Sequence, residues 1–529
     1  MRRLPNGKRR WRARVTRHAP LPAWPGLLAG LFLCALILGP LAAVTWRAGG
    51  GGWPVAADWA ALRFTVLQAV LSALISVALA VPVARALARR RFPGRGPLIT
   101  LLGAPFILPV IVAVLGLLAV FGRGGVLNDL LLWLGLPRVQ IYGLHGVVLA
   151  HVFFNLPLAT RMILQGWQAI PAERFRLAAS LGMSPGTVLR VLEWPMLRGV
   201  LPGAALIIFA LCLSSFAVAL TLGGGPRATT LELAIYQAFH FDFDLGRAAV
   251  LAVMQLALVV AAAAPALRWG AATGFGAGLD RVQRRWEAET PLLRAQDAAL
   301  IALVALFLLT PLAAVVWRGL AGVADMPAQV WRAAAVSLGV SLAATVLCLA
   351  LALALAVLAL RRPWIEALGL MGIAVSPLVI GTGLFLIVNP WADPARLALA
   401  VTALVNAVMA LPFALRMILP RLREVEDSHG RLATSLGMTG AARLRWLILP
   451  RLRPVLGFSA GLTAALAMGD LGVIALFADM ENATLPLQIL RLMGAYRMEQ
   501  AAGAGLLLLI LSLALFWAFD RGGRDNAAV

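Results

Sequence analysis

The sequence predicts an all-α, polytopic membrane protein of about twelve transmembrane helices, arranged as two tandem six-helix halves. Three observations carry this reading. The 529 residues are 61% hydrophobic and only 13% charged, with a mean hydropathy of +0.89, whereas a soluble domain has ~25% charged residues. Apolar runs of about 20 residues, enough to cross a bilayer core, recur along the whole chain; they are continuous and lack the alternation of a β-barrel strand. A block of sequence also returns far downstream, as RLAASLGM at 176–183 and RLATSLGM at 431–438.

Spans are expected at 22–45, 61–85, 98–121, 143–166, 199–222 and 247–270, then at 297–319, 333–359, 366–389, 397–419, 454–478 and 500–519. This divides the chain into a basic N-terminal tail (1–21), a first half (22–270), a polar linker (271–296), a second half (297–519) and a short tail (520–529). The first apolar run is too long for the 7–15-residue core of a signal peptide, so it reads as a retained helix. The net charge is +23, and its placement decides what it means. With the N-terminus inside, the inner segments and adjoining span ends hold 35 of the 46 Lys and Arg, and the outer ones 11. That asymmetry puts both termini in the cytoplasm. The basic residues then face anionic headgroups of the lipid bilayer, and no nucleic-acid partner is expected. Cys34, Cys212 and Cys348 lie singly in different spans and predict neither a disulfide nor a thiolate site. His18, His145, His240 and His429 are scattered without metal-ligand spacing, so no metal and no catalytic residue is expected.

The repeat holds an offset of 255. LPLATRMIL (156–164) matches LPFALRMIL (411–419), and Pro195 in LEWPMLR matches Pro450 in LILPRLR. TTLEL (229–233) finds ATLPL (483–487) after a one-residue slip. Six spans per half give both halves one orientation, a parallel repeat. The strongest repeated block is the inner loop between the fourth and fifth spans of each half. PAERFRLAASL (171–181) predicts a helix opened by Pro171. Gly182 supplies a left-handed stop, and Ser184 caps a second helix that starts at Pro185. Gly437 and Thr439 do the same in the second half. A turn needs one glycine and one cap; it does not need the repeated Leu181 and Met183, or Leu436 and Met438, at a water-facing corner. Such apolar knobs suggest a protein partner.

On these residues the chain resembles the permeases of binding-protein-dependent ABC importers. Their signature is Glu-Ala-Ala, three residues, Gly, nine residues, then Ile-x-Leu-Pro. Arg176-Leu177-Ala178, Gly182 and Pro195 fall on that spacing, as do Arg431-Leu432-Ala433, Gly437 and Pro450. The resemblance implies two tandem type I, MetI-like permease halves in a bacterial inner membrane. Each loop would be a coupling helix docked on one of two ATPase subunits, and a periplasmic substrate-binding protein would deliver the cargo. The docking residues it implies are Arg176, Ala178, Leu181, Gly182, Met183 and Pro195, with Arg431, Ala433, Leu436, Gly437, Met438 and Pro450 in the second half. The signature glutamate is replaced by Arg176 and Arg431, so any salt bridge through it is not carried over. A phosphate-binding Walker loop needs a lysine beside its glycines, and the one lysine is Lys8 in the basic tail. ATP and Mg therefore belong to the partner ATPase, and this chain is expected to bind no cofactor. Among fused double permeases, SSFAVALTLGGGPRATTLELAIYQAFHFDFDLGRAA (214–249) and MGDLGVIALFADMENATLPL (468–487) resemble those for thiamine and its phosphates; ferric iron is the alternative cargo.

Asp470 is the one acid placed inside a span. It either faces a water-filled path, where it could attract a cationic substrate, or satisfies backbone freed at a helix break beside Gly469 and Gly472. Ser215 is its repeat partner. His151 and Asn406 occupy equivalent places, each six residues before a proline, and read as path lining or as interhelical hydrogen-bonders. The outer segment YQAFHFDFD (236–244) reads as an interfacial aromatic belt, with a contact to the binding protein as the other reading. A proton-driven carrier could also have twelve spans in two parallel halves, but it has no use for a duplicated docking loop.

Overall fold

The computed structural model describes residues 21–50, 52–103, 107–225, 228–269, 285–286, 289–369, 371–477 and 483–524. The tail assigned to 1–21, apart from Leu21, and most of the linker assigned to 271–296 lie outside the described residues. Among those described there is helix and no strand. Among the described residues eleven helices are long and apolar enough to cross a membrane, and a further apolar helix, Pro377–Val388, is shorter.

In the first half, α1 (Trp24–Ala48) and α2 (Ala56–Arg89) stand where the first two spans are predicted. The third predicted span is instead divided into α3 (Arg95–Leu101) and α4 (Val110–Phe121), and α5 (Val126–Trp133) follows beyond it. Pro109 is the reason for the late start of α4: it has no N–H to donate and disfavours helix at the residue before it. Helix α6 (Leu144–Ala169) is the fourth span, and α7 (Ala172–Ser180) is the predicted docking helix. Then α8 (Pro185–Val188) runs through a π-turn into α9 (Trp194–Leu213), followed by α10 (Phe216–Leu222), α11 (Leu231–His240) and α12 (Leu245–Trp269).

The second half repeats this plan. It comprises α13 (Pro291–Gly322), α14 (Ala328–Ala359), α15 (Ile365–Gly369), α16 (Pro377–Val388), α17 (Pro394–Ser435), α18 (Gly440–Arg443), α19 (Leu449–Met468), α20 (Gly472–Phe477), α21 (Leu485–Gly494) and α22 (Met498–Arg524). The predicted ninth span, like the third, is interrupted: α16 starts at Pro377, and the Ser376 hydroxyl accepts from the Leu378 N–H at 3.2 Å. One difference between the halves is large. Pro171 separates α6 from α7, whereas its counterpart Glu426 lets α17 run 42 residues through the fourth span and the docking helix without a break.

The first helix of each half bridges the two halves, α1 packing against its own α12 and α13 against its own α22 as well as across. Helix α1 packs against α14 and α16 of the second half, and α13 packs against α2 and α4 of the first. Lipid tails are as apolar as leucine, so burial of apolar surface drives no association there and close backbone approach must supply it. Both contacts across the halves use glycine for that approach. A Cβ on Gly383 would stand 2.4 Å from the Pro40 carbonyl oxygen, and one on Gly116 would stand 2.5 Å from that of Pro311. Leu33 and Ile37 of α1 are fully buried in a core that both halves build.

Candidate coupling loops and translocation path

Each docking loop is built by a helix that a left-handed glycine stops. Gly182 (φ +61°) and Gly437 (φ +67°) hold the conformation that a Cβ disfavours. The N–H groups of Met183 and Met438 close back on the carbonyls of Ala178 and Ala433, at 3.0 and 2.9 Å. Ser184 caps α8 by accepting from the Thr187 N–H at 3.3 Å. Thr439 stands at the matching position but makes no side-chain cap bond, which corrects the prediction for the second half. Pro171 is likewise the residue before α7, one place earlier than predicted.

The repeated residues divide by what they face. Leu181 and Leu436 are 62% and 67% exposed, with Arg176, Arg431, Gly182, Gly437, Pro195 and Pro450 exposed around them. Ala178 and Ala433 are buried, and Met183 and Met438 are half-buried. The alanines therefore anchor each loop to the membrane body and cannot touch a partner. Neighbouring Leu177 and Leu432, each 60% exposed, extend the apolar face instead. The predicted second helix does not stop at its proline. It passes into the fifth and eleventh spans through π-turns at Leu189–Glu193 and Leu444–Ile448. A proline in mid-helix removes a donor and crowds the carbonyl four residues back; the wider turn just before Pro195 and Pro450 relieves both and joins loop to span without a break.

The loops are secured differently. In the first half Phe175 fills the space under the docking helix, and the Arg285 guanidinium lies 3.2 Å above its ring. Arg285 also donates to Glu193 at 3.2 Å, which Arg85 meets at 2.8 Å. In the second half the counterpart of Phe175 is Gly430, and the space is taken by the buried Arg443. Arg443 replaces Val188, donates to both oxygens of Glu426 and reaches the Thr434 hydroxyl at 3.2 Å.

Deeper in the molecule, the fifth and eleventh spans break in the middle: α9 gives way to α10 at Ser214 and Ser215, and α19 to α20 at Gly469 and Asp470. Backbone freed inside lipid must find partners within the protein. Gln68 donates to the Cys212 carbonyl and Gln255 to that of Leu213, each at 2.9 Å. His151 joins the Ser72 hydroxyl, at 3.1 Å from Nδ1, to that of Ser215 on the break itself. On the other side Ser341 donates to the Ala464 carbonyl at 2.8 Å and Asn406 to that of Ala467 at 3.4 Å. The Gly472 N–H donates to Asp470 Oδ1 at 3.3 Å, while Oδ2 is buried with no hydrogen-bond partner. His151 and Ser215 meet at the first break and Asn406 bonds at the second, acting as interhelical hydrogen-bonders, while Asp470 holds the backbone of its own break.

A short buried helix then lies across each half. Its first N–H is held by a hydroxyl of the second span: Leu231 donates to Thr65 at 2.9 Å and Leu485 to Ser337 at 2.7 Å. Helix α11 reaches α16 and α20 of the other half, and there buried Glu232 accepts from the Ser376 hydroxyl.

No family model matches the chain. It is 41% identical over 517 residues to the thiamine transport system permease protein ThiP of Brucella abortus, covering 95% of each. Against the protein of that name from Escherichia coli K12 it is 39% identical over 536 residues, covering 96% of this chain and 98% of the relative. The chain belongs to the ThiP permease family. Half of this permease, 49% of it over 277 residues, also matches 98% of the molybdenum transport system permease protein ModB of Mycobacterium bovis at 33% identity. A half-length relative of that kind accords with the internal repeat. Among the described residues no group of His, Cys, Asp and Glu is placed to hold a metal ion.

Sequence reasoning missed Glu232. It lies in TTLEL, outside any predicted span, and its counterpart in ATLPL is Pro486. That mismatch inside a well-matched pair was the available signal. It also missed the Arg443–Glu426 pair: the halves differ throughout 171–175 against 426–430 and 185–188 against 440–443, so nothing singled out Glu426, Gly430 and Arg443.

Proposed function

We propose that this permease is the membrane-spanning subunit of a binding-protein-dependent ABC importer for thiamine, thiamine pyrophosphate or both. The carrying observation is the pair of glycine-stopped loops, each continuous through a π-turn with a broken span, in a chain belonging to the ThiP permeases. Two copies of a separate ATPase dock on the exposed leucine faces around Leu181 and Leu436, and both termini lie in the cytoplasm. A loaded periplasmic binding protein meets the opposite side. Closure of the ATPases on ATP moves each loop, and the stiff loop-to-span connection carries that motion to the breaks at Ser215 and Asp470. The substrate then passes between the halves, and ATP hydrolysis on the partner resets the path.

The reading is tested by uptake of radiolabelled thiamine at low external concentration, in source cells with and without the gene. Loss of uptake that returns with the intact gene supports it, and competition by unlabelled thiamine pyrophosphate then tells whether phosphates are carried. Unchanged uptake would overturn the substrate. Ferric iron is not favoured, because the full-length relatives reported above are thiamine permeases by name.

A further inference from the structure

Two exposed aromatic residues adopt a backbone conformation that glycine normally fills. Among the described residues, Phe243 (φ +51°) and Tyr496 (φ +59°) are the only non-glycine residues with positive φ. For a bulky side chain that region is sterically disfavoured and calls for a reason. The two positions are alike in topology, although the repeat offsets of 255 and 254 pair Phe243 with Met498 or Arg497. Each lies two residues before the last span of its half, α12 from Leu245 and α22 from Met498, in the turn that closes the short buried helix. Backbone bonds hold both turns: Asp244 donates to the Ala238 carbonyl and Arg497 to that of Leu492, each at 2.9 Å.

Neither ring recovers the conformational cost by packing inside the chain. Phe243 is 74% exposed and Tyr496 91% exposed. An aromatic belt needs rings at headgroup depth but places no demand on φ, so the belt explains one ring and not a matched, strained pair. Strain of this kind gathers where function over-determines the backbone. Both turns precede the last span of a half while the docking loops precede the one before it, so they lie at the opposite end of the molecule from the ATPase faces.

The charges beside the two rings differ in sign. Asp242 and Asp244 flank Phe243 and are exposed, with Arg247 shared between Asp242 at 3.5 Å and Asp58 at 2.9 Å. Exposed Arg497 follows Tyr496 and half-buried Arg491 lies five residues before it, and together they outweigh exposed Glu499, three residues on. We propose that Phe243 and Tyr496 are twin anchors for the loaded substrate-binding protein, one on each half. The acidic surround of the first and the basic surround of the second select one of two orientations that the repeat would otherwise leave equivalent. The partner's complementary chemistry is a basic surface over Phe243 and an acidic one over Tyr496. Exposed aromatic anchors are the side chains that dominate such interfaces, and flanking charge sets orientation and association rate. The inference rests on the importer reading given above.

The test uses the permease with its ATPase subunits in nanodiscs and the thiamine-loaded binding protein from the same source, with affinity read by surface immobilisation. Phe243→Gly and Tyr496→Gly suit the left-handed turn better than the native residues, so loss of binding does not report a damaged turn; an unchanged thermal midpoint checks this. Each is expected to weaken binding about tenfold and the double variant about a hundredfold, while Phe243→Tyr and Tyr496→Phe bind as the native protein does. Arg497→Asp should slow association most at low salt. Native-like binding by the double glycine variant overturns the anchors and leaves the importer reading standing. Absence of binding by the native complex overturns both.

Discussion

Glu426→Ala is expected to destabilise the second docking loop far more than Arg443→Val, and the two together less than Glu426→Ala alone. Arg443 has a side chain only 3% exposed, and the carboxylate of Glu426, 16% exposed, is its charge partner. Removing Glu426 strands a buried guanidinium, which costs about 3–5 kcal/mol. Removing Arg443 instead leaves a carboxylate that water reaches, and the loss is that of a charge-assisted hydrogen bond, about 1.5–3 kcal/mol. The first half shows that the site tolerates an apolar solution, with buried Val188 where Arg443 stands and Phe175 where Gly430 stands. In the double variant no charge is buried and alanine suits the uninterrupted α17, so the coupling energy that separates it from the sum of the single changes should exceed the Arg443→Val loss itself, at about 3 kcal/mol. Adding Gly430→Phe to the double variant fills the vacated space and should restore stability further, whereas Gly430→Ala alone puts a Cβ 2.8 Å from Arg443 Nη2 and should cost stability. Unfolding free energies from SDS titration in mixed micelles, read by far-ultraviolet circular dichroism, give the four corners of the cycle. Equal losses for the two single variants, or strict additivity, would refute the reasoning.

The remaining predictions need single measurements. Gly116→Ala and Gly383→Ala each force a Cβ onto a backbone carbonyl of the other half and should cost about 1–3 kcal/mol, whereas Gly39→Ala, with no atom within 4 Å, should leave the thermal midpoint in detergent unchanged. Replacing both Gly182 and Gly437 by Asp should abolish thiamine uptake while membrane insertion, followed by immunoblot of the membrane fraction, is retained; normal uptake would remove the docking assignment. His151→Phe leaves Ser72 and Ser215 without their bridge and should lower stability more than Asn406→Leu, which loses one bond of 3.4 Å. Membrane hydrogen bonds average about 0.6 kcal/mol each, so the expected difference is small and requires the same SDS titration.

Sequence alone determined the class, the repeat and the place of the two glycine-stopped loops. Hydrophobic run length is set by bilayer thickness, and a left-handed turn demands glycine wherever it occurs, so RLAASLGM and RLATSLGM state their own geometry. The same reasoning erred where prolines at 109 and 377 divided spans that hydropathy reads as continuous, because hydropathy counts carbon and is blind to a missing N–H. It also could not tell which of the repeated residues face a partner. Ala178 and Ala433 are buried while Leu181 and Leu436 are exposed, a distinction made by the body against which the loop lies. Tertiary structure alone decided the bridging of the halves by α1 and α13, the meeting of Glu232 with Ser376 across 144 residues, and the replacement of a phenylalanine by a buried ion pair. Inside lipid, apolar residues have no preferred apolar neighbour, and only close backbone approach and satisfied polar groups tell one helix which other helix to join.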